Sequence, residues 1–324
     1  MRFVIFGAGA VGGVVGVRLQ QSGHDVALIA RGAHLEAMLS SGLTLETPEG
    51  SSTHRLTAAA TPAELGLDAA DVVLLAVKSQ DTVAALGALA EARPGGGPLV
   101  LLQNGVENER VALRRCADVY GAVVLIPAAH LAPGTVQAFG LGPLTGKIDV
   151  GRFPTGVDAT VSAVTDALAA SGFASLPNPQ IMAAKYAKLI DNLANVPQAL
   201  CGVGADGLSE LIALARAEGE SVLGAAGIDF LPREPELQPQ RFMWQGIGEI
   251  AGRPRAGGST WQSLMRGRSL ESDYLTGEIV LQARLIGHPA PLNTRLLALI
   301  DEASRAGRRP GWITAAEIRA RAGV

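Results

Sequence analysis

Arg2-Phe3-Val4-Ile5-Phe6 runs without a break into Gly7-Ala8-Gly9-Ala10-Val11-Gly12, and no other feature of the sequence constrains its folding so tightly. The first residues have the apolar, β-branched character of a buried strand. The small-residue stretch that follows, ending near Gly23, reads as a helix. Glycines at the first, third and sixth places of a strand-to-helix turn form the dinucleotide fingerprint. Gly7 permits the tight turn, Gly9 lets the backbone approach a pyrophosphate, and Gly12 lets the helix lie close on the strand. The helix N-terminus then faces the phosphate charge. A glycine-rich turn that binds nothing is the alternative, but the strand before it and the helix after it favour a ligand. Gly7, Ala8, Gly9, Ala10, Val11 and Gly12 are therefore assigned to cofactor binding.

The residue after the second strand separates the two nicotinamide cofactors. An NAD site places Asp or Glu there, accepting from the ribose 2′-OH. Here Ala30-Arg31 follows the strand at 26–29. A guanidinium cannot accept that bond, but it suits a 2′-phosphate, so the sequence predicts NADP(H). Lys78, at the end of the apolar run 72–77, lies on the same carboxyl edge of the predicted sheet. For each cation the alternative is a solvated loop charge.

Apolar runs at 3–6, 26–29, 72–77, 99–102 and 120–125 lack in/out alternation, as expected of parallel strands buried on both faces. Helical stretches lie between them, at 12–21 and 82–90 for example. Residues 43–57 read as a hairpin about Pro48-Glu49-Gly50, and short extended pieces lie near Val136 and at 148–150, ahead of a helix at 157–170. Pro177-Asn178-Pro179 marks a boundary. Beyond it, 181–195, 208–227, 241–250 and 269–286 read as helices, while 233–240 and 253–259 read as surface loops. The predicted fold is an α/β Rossmann-type dinucleotide-binding domain over 1–179, followed by an all-α C-terminal domain over 180–324.

Composition excludes several classes. A chain of 324 residues has room for two cores, and 48% hydrophobic with 18% charged residues is a globular balance. A net charge of −3 offers no field for nucleic acid. Cys116 and Cys201 are the only cysteines and sit in no metal-ligand spacing, so no metal and no disulfide are expected. No apolar run is long enough to span a membrane, and no cleavable leader is evident. The expectation is a soluble, cytoplasmic protein.

Hydride transfer to a ketone leaves an alkoxide that needs a proton donor. Of the histidines, His24, His34 and His54 fall in turn or hairpin settings and His288 precedes a proline. His130 is the one placed near the cofactor, and it reads as structural. Lys185, Lys188, Asn192 and Asn195 are spaced three, four and three and would share one helical face, lining either a cleft or a solvated surface. Glu271, Tyr274 and Glu278 repeat the pattern, preceded by Ser259, Thr260 and Gln262 in a glycine-rich stretch. Trp244 and Trp261 read as core anchors.

Taken together and in order, Gly7–Gly12, Arg31, Val77-Lys78, Gln103-Asn104-Gly105, Pro133-Gly134, Lys188-Leu189 with Asn192, and Ser259 with Glu271-Ser272-Asp273-Tyr274 resemble the ketopantoate reductase (2-dehydropantoate 2-reductase) family over nearly the whole chain. The resemblance implies NADPH-dependent reduction of 2-dehydropantoate to pantoate, a step toward pantothenate and coenzyme A. It assigns Lys188 as the acid that protonates the carbonyl oxygen and Glu271 as the carboxylate that holds the substrate. Asn104 is placed beside nicotinamide and substrate, Asn192 and Ser259 on the substrate, and Arg31 and Lys78 at the NADPH phosphates. It implies a small-molecule 2-oxo acid as partner and allows a homodimer through the helical domain, with no nucleic acid and no membrane. The sequence departs from the family at Ser263, where Asp commonly follows Gln, at Leu270 and Ser272 around the retained Glu271, and at Thr276 in place of Asn. These departures leave open a reductase of a different 2-oxo acid or ketone on the same scaffold. A non-catalytic NADPH-binding regulatory protein is the reading outside enzymology.

Overall fold

Strands that are apolar throughout end up buried on both faces, and alternate residues of each feed two different cores. Phe3, Ile5, Leu28, Leu74 and Val100 belong to one cluster, and Val4, Phe6, Ile29, Val73 and Leu101 to another. Lacking in/out alternation, these residues can be satisfied only by a covered, mostly parallel sheet. The computed structural model describes residues 1–231, 246–255 and 257–324.

The chain begins β1 (Arg2–Phe6), α1 (Ala10–Gln21), β2 (Asp25–Ile29), α2 (Gly32–Ser41), β3 (Leu43–Thr47), β4 (Gly50–His54), β5 (Thr57–Ala59), β6 (Val72–Leu75), α3 (Thr82–Ala92) and β7 (Leu99–Leu101). It continues α4 (Asn108–Leu113), β8 (Val119–Leu125), β9 (Ala128–Ala132), β10 (Thr135–Ala138), β11 (Gly146–Arg152), α5 (Ala159–Ala170) and β12 (Phe173–Ala174). The main sheet has eight strands in the order β12-β11-β8-β7-β6-β1-β2-β5. From β5 to β8 the pairing is parallel, and β11 joins β8 antiparallel. Along the chain, β5-β2-β1-β6-β7-β8 is the doubly wound order, with its switch point between β1 and β6. A second sheet, β4-β3-β10-β9, contains the predicted hairpin as its β3–β4 pair and joins β10 to β3 in parallel.

Beyond residue 180 come α6 (Ile181–Asn192), α7 (Asn195–Cys201), α8 (Leu208–Ala225), α9 (Ser259–Met265), α10 (Thr276–Ile286), α11 (Pro291–Arg305) and α12 (Ala315–Ala322), with a two-residue ribbon of β13 (Glu249–Ile250) and β14 (Arg253–Pro254). The architecture is thus a parallel-sheet α/β part followed by a mostly helical part. Among the described residues two compact units emerge: 1–103 with 107–182 and 246–255, and 104–106 with 183–231 and 257–324. In the second, Val196, Leu200, Leu211, Leu296, Ile300 and Ile318 share one core. The Glu218 carboxylate accepts from the Leu292 and Asn293 N–H groups at 2.9 and 2.7 Å, capping α11, and a Thr314/Glu317 capping box opens α12. No helix among the described residues is long and apolar enough to cross a membrane.

Three helical readings need correction. The stretch 181–195 breaks after Asn192, where the Leu193 and Ala194 N–H groups turn to carbonyls only three residues back, so Asn195 starts α7. The stretch 269–286 opens as a 3₁₀ turn, Ser272–Tyr274, and Leu275 at φ −116°, ψ −89° separates it from α10. Of the 241–250 reading, 241–245, including Trp244, lies outside the described residues. The remainder is extended, with Ile247 bridged to Gly140 and Glu249–Ile250 in a strand. The predicted loop at 233–240 also lies outside the described residues. The loop reading of 253–259 contains β14 at its start and the first residue of α9 at its end.

Candidate active site

In the first unit, the carboxyl edge of the main sheet is built around the glycine turn. Gly7 sits at φ +107°, and a Cβ there would fall 2.8 Å from the Val77 nitrogen, so the turn lies hard against the end of β6. A Cβ on Gly12 would lie 2.2 Å from the Gly7 oxygen and 2.9 Å from Ile5 Cγ2, which is the close helix–strand approach read from the sequence. Gly7 and Ala8 both donate to the Ile29 carbonyl at 3.1 Å, tying the turn to β2. The first rung of α1 is Gly13 N–H to Gly9 O at 2.8 Å, so the leading N–H groups of the helix have no acceptor in the preceding turn. The helix has no side-chain cap and no acid in its first turn, and the space beside the Gly9 α-carbon is open. Uncapped donors, open space and the positive end of a helix fit a dinucleotide pyrophosphate.

Arg31 is the exposed N-cap residue of α2, directly beyond β2, and Lys78 is the N-cap of the 3₁₀ turn Ser79–Asp81 beyond β6. Both therefore lie at the same sheet edge as Gly7–Gly12. Beneath Lys78 is a buried polar network: Gln103 Nε2 donates to the Val77 carbonyl at 3.0 Å and to Thr82 Oγ1 at 2.7 Å. Thr82 Oγ1 donates to Asn108 Oδ1 at 2.8 Å, and Asn108 Nδ2 donates to Ser79 Oγ at 3.1 Å. Buried side-chain networks of this kind fix loop geometry.

The second unit carries Asn104 together with Lys188, Asn192, Ser259 and Glu271. Gly105, at φ +82°, lies so close to the Tyr274 carbonyl that a Cβ would meet it at 2.9 Å. The Tyr274 N–H closes the turn onto the Glu271 carbonyl at 3.1 Å, so the Asn104-Gly105 segment rests on the turn that begins with Glu271. Lys188 and Asn192 are half-buried on α6, and Lys185 is buried. The buried Nδ2 of Asn192 has no hydrogen-bond partner among the described residues. On other faces of this helical stretch, Ile190 and Leu193 lie against Gly219 of α8. Asn195 does not join the strip: its Oδ1 lies 2.9 Å from where a Cβ on Gly258 would be, at the N-cap of α9. Ser259 is exposed, and Trp261 is half-buried over Gly257 and packed on the helical core. Glu271 precedes the 3₁₀ turn and does not share an α-helical face with Tyr274 and Glu278.

Matches to known proteins follow this layout. Residues 3–154 match the family model described as ketopantoate reductase PanE/ApbA, and residues 180–304 match its C-terminal companion. The chain belongs to the ketopantoate reductase family. Members are dinucleotide-binding oxidoreductases acting on a ketone/alcohol pair. The 2-dehydropantoate 2-reductase of Pyrococcus horikoshii is 30% identical over 307 residues, covering 93% of this chain and 96% of the relative. The crystal structure of a PanE/ApbA family ketopantoate reductase from Ralstonia eutropha JMP134 is 30% identical and aligns with a TM-score of 0.78 over 95% of this chain and 99% of that one. A D-mandelate dehydrogenase with NADH and anilino(oxo)acetate shares the reductase fold at a TM-score of 0.80 and 21% identity, covering 95% and 99% of the two chains.

One residue of this region is not apparent from its turn-like sequence setting: the His34 ring bridges the Ala8 carbonyl and the Gly134 N–H at 2.7 and 2.9 Å and lies 4.1 Å, centroid to centroid, from His130. Its position three residues after Arg31, in the first turn of α2, was the only available signal.

Proposed function

We propose that this chain catalyses reduction of 2-dehydropantoate to pantoate with NADPH as hydride donor. Residues 1–179 would bind the dinucleotide, and 180–324 would carry substrate and catalytic groups. One observation carries the reading: Asn104, far upstream in sequence, belongs to the compact unit that holds Lys188, Asn192, Ser259 and Glu271. The relatives' shared name supports the substrate. Arg31, exposed where an NAD site has an acid, supports NADPH over NADH.

In this reading the bound dinucleotide supplies the hydride. As the ketone oxygen gains charge, the Lys188 ammonium stabilises it and delivers a proton from Nζ, giving the alcohol. The amine then regains a proton from solvent. Asn192 turns its unpartnered Nδ2 donor to the substrate, Asn104 orients the substrate beside the nicotinamide, and Ser259 and Glu271 bind its polar groups, Glu271 accepting from the hydroxyl end. A regulatory protein without catalysis has no use for both Lys188 and Glu271. The enzyme acts on its small-molecule substrate in the cytoplasm, with a homodimer through the helical unit as its assembly.

A second reading, reduction of a different 2-oxo acid or ketone, draws on Thr276. This residue stands where Asn is common in the family, is fully buried, and has a hydroxyl with no partner among the described residues. Initial rates with 2-dehydropantoate, pyruvate and bulkier 2-oxo acids, each run with NADPH and with NADH, decide between the two. The expected result is a clear preference for 2-dehydropantoate and NADPH. Turnover of 2-dehydropantoate no faster than pyruvate would transfer the assignment to the second reading.

A further inference from the structure

We propose that His34 is a positioning residue for the cofactor turn, locking the Ala8 carbonyl so that the Gly9 N–H points at the dinucleotide pyrophosphate. The proposal rests on the dinucleotide reading of Gly7–Gly12. The hydrogen bonds define the tautomer. Because the Gly134 N–H donates to Nδ1, that nitrogen carries a lone pair and the proton sits on Nε2, where it donates to the Ala8 oxygen at 2.7 Å. A trans peptide is planar with its C=O and N–H antiparallel. Holding the Ala8 oxygen toward His34 therefore turns the N–H of the same peptide, that of Gly9, the opposite way.

The other end of the lock is anchored. Gly134 sits at φ +73° between β9 and β10, and a Cβ there would come 2.9 Å from the Ala37 Cβ on α2. Its carbonyl accepts from the Thr44 N–H of β3 at 2.8 Å. Behind it, β10 lies directly on α1: a Cβ on Gly13 would meet Val136 Cγ1 at 2.7 Å. The second sheet thus serves as a fixed post, and His34 is the strut from that post to the phosphate-binding turn. The lock requires neutral His34, since a proton on Nδ1 would set two N–H groups against each other. His130 of β9 faces His34, with the two ring centroids 4.1 Å apart.

Direct titration with NADPH and with NADH, alongside kcat, KM and the melting temperature of the cofactor-free protein, tests this. His34→Ala should weaken binding of both dinucleotides about tenfold and raise the cofactor KM equally, leaving kcat within about twofold. His34→Gln keeps a donor near Nε2 and should recover most of the affinity. His34→Asn keeps only the acceptor for Gly134 and should not. Wild-type affinity in His34→Ala, or equal losses in the Gln and Asn variants that track the melting temperature, would overturn the strut. Failure of the wild type to bind either dinucleotide would overturn the strut together with the cofactor reading.

Discussion

In the first unit the groups assigned to the cofactor are largely main chain: the turn from Gly7 to Gly12 and the uncapped N–H groups of α1. In the second, the assigned groups are side chains, those of Lys188 and Asn192 on α6, Ser259 at the start of α9 and Glu271 before a 3₁₀ turn. The contrast shows what kind of substitution each site can bear. A backbone site depends on residues that have no side chain, so adding a methyl group destroys it. A side-chain site depends on a few functional groups presented by helices whose packing lies elsewhere, so truncating one removes chemistry and leaves the fold.

The sharpest test of that contrast is Gly12→Ala. The new methyl would sit 2.2 Å from the Gly7 carbonyl oxygen, and backbone has no rotamer by which to yield. Dinucleotide affinity should fall by ~100-fold or more. The melting temperature of the cofactor-free protein should also drop by ~5–10 °C, since the same contact packs α1 on β1. Lys188→Ala should separate the two properties. Turnover falls at least ~100-fold, the low end of general-acid effects, while NADPH binding and melting stay near wild type. Unchanged turnover would remove Lys188 from the reaction, and a Gly12→Ala protein that binds NADPH normally would break the comparison itself.

The same contrast explains what could be read before folding. The turn was legible because glycine identity reports backbone demands directly, and β1, β2 and β6 because continuous apolar runs admit few alternatives. The β3–β4 hairpin was visible, but its sheet was not, since the parallel pairing of Thr135–Ala138 with β3 joins segments far apart in sequence. Periodicity suggested one helix through Glu271, Tyr274 and Glu278. It could not register the break at Leu275, because a 3₁₀ turn repeats at three and an α-helix at 3.6 residues. Asn195 was misplaced for the same reason, one turn past the end of α6. His34 was illegible because both its partners are main-chain atoms, one of them at Gly134 a hundred residues on.

The finest discrimination between the units comes from one carboxylate in each, with opposite signs. In the first unit, burial pushes the Asp71 carboxyl up, but the Arg2 guanidinium, the Asp68 N–H and Arg93 together hold it below the usual range. A depressed folded value means that ionised Asp71 stabilises the fold above its unfolded value of ~4, and that this contribution is lost as pH falls through the folded value. In the second unit, burial and the neighbouring charge of Asp273 raise Asp301, partly offset by Arg305. There the protonated form is favoured by folding, so relative stability is present below ~4 and is lost as pH rises through the folded value. Asp71→Asn should therefore lower the melting temperature at neutral pH, with the gap from wild type closing as the carboxyl protonates in acid. Asp301→Asn should raise it at neutral pH and change nothing in acid. Asp301 is half-exposed, so its shift should be at most ~2–4 °C, while Asp71 is buried against Arg2 and its shift should be the larger. Calorimetry at both pH values reads them, and a common sign for the two variants at neutral pH would overturn the assignment of opposite electrostatic roles.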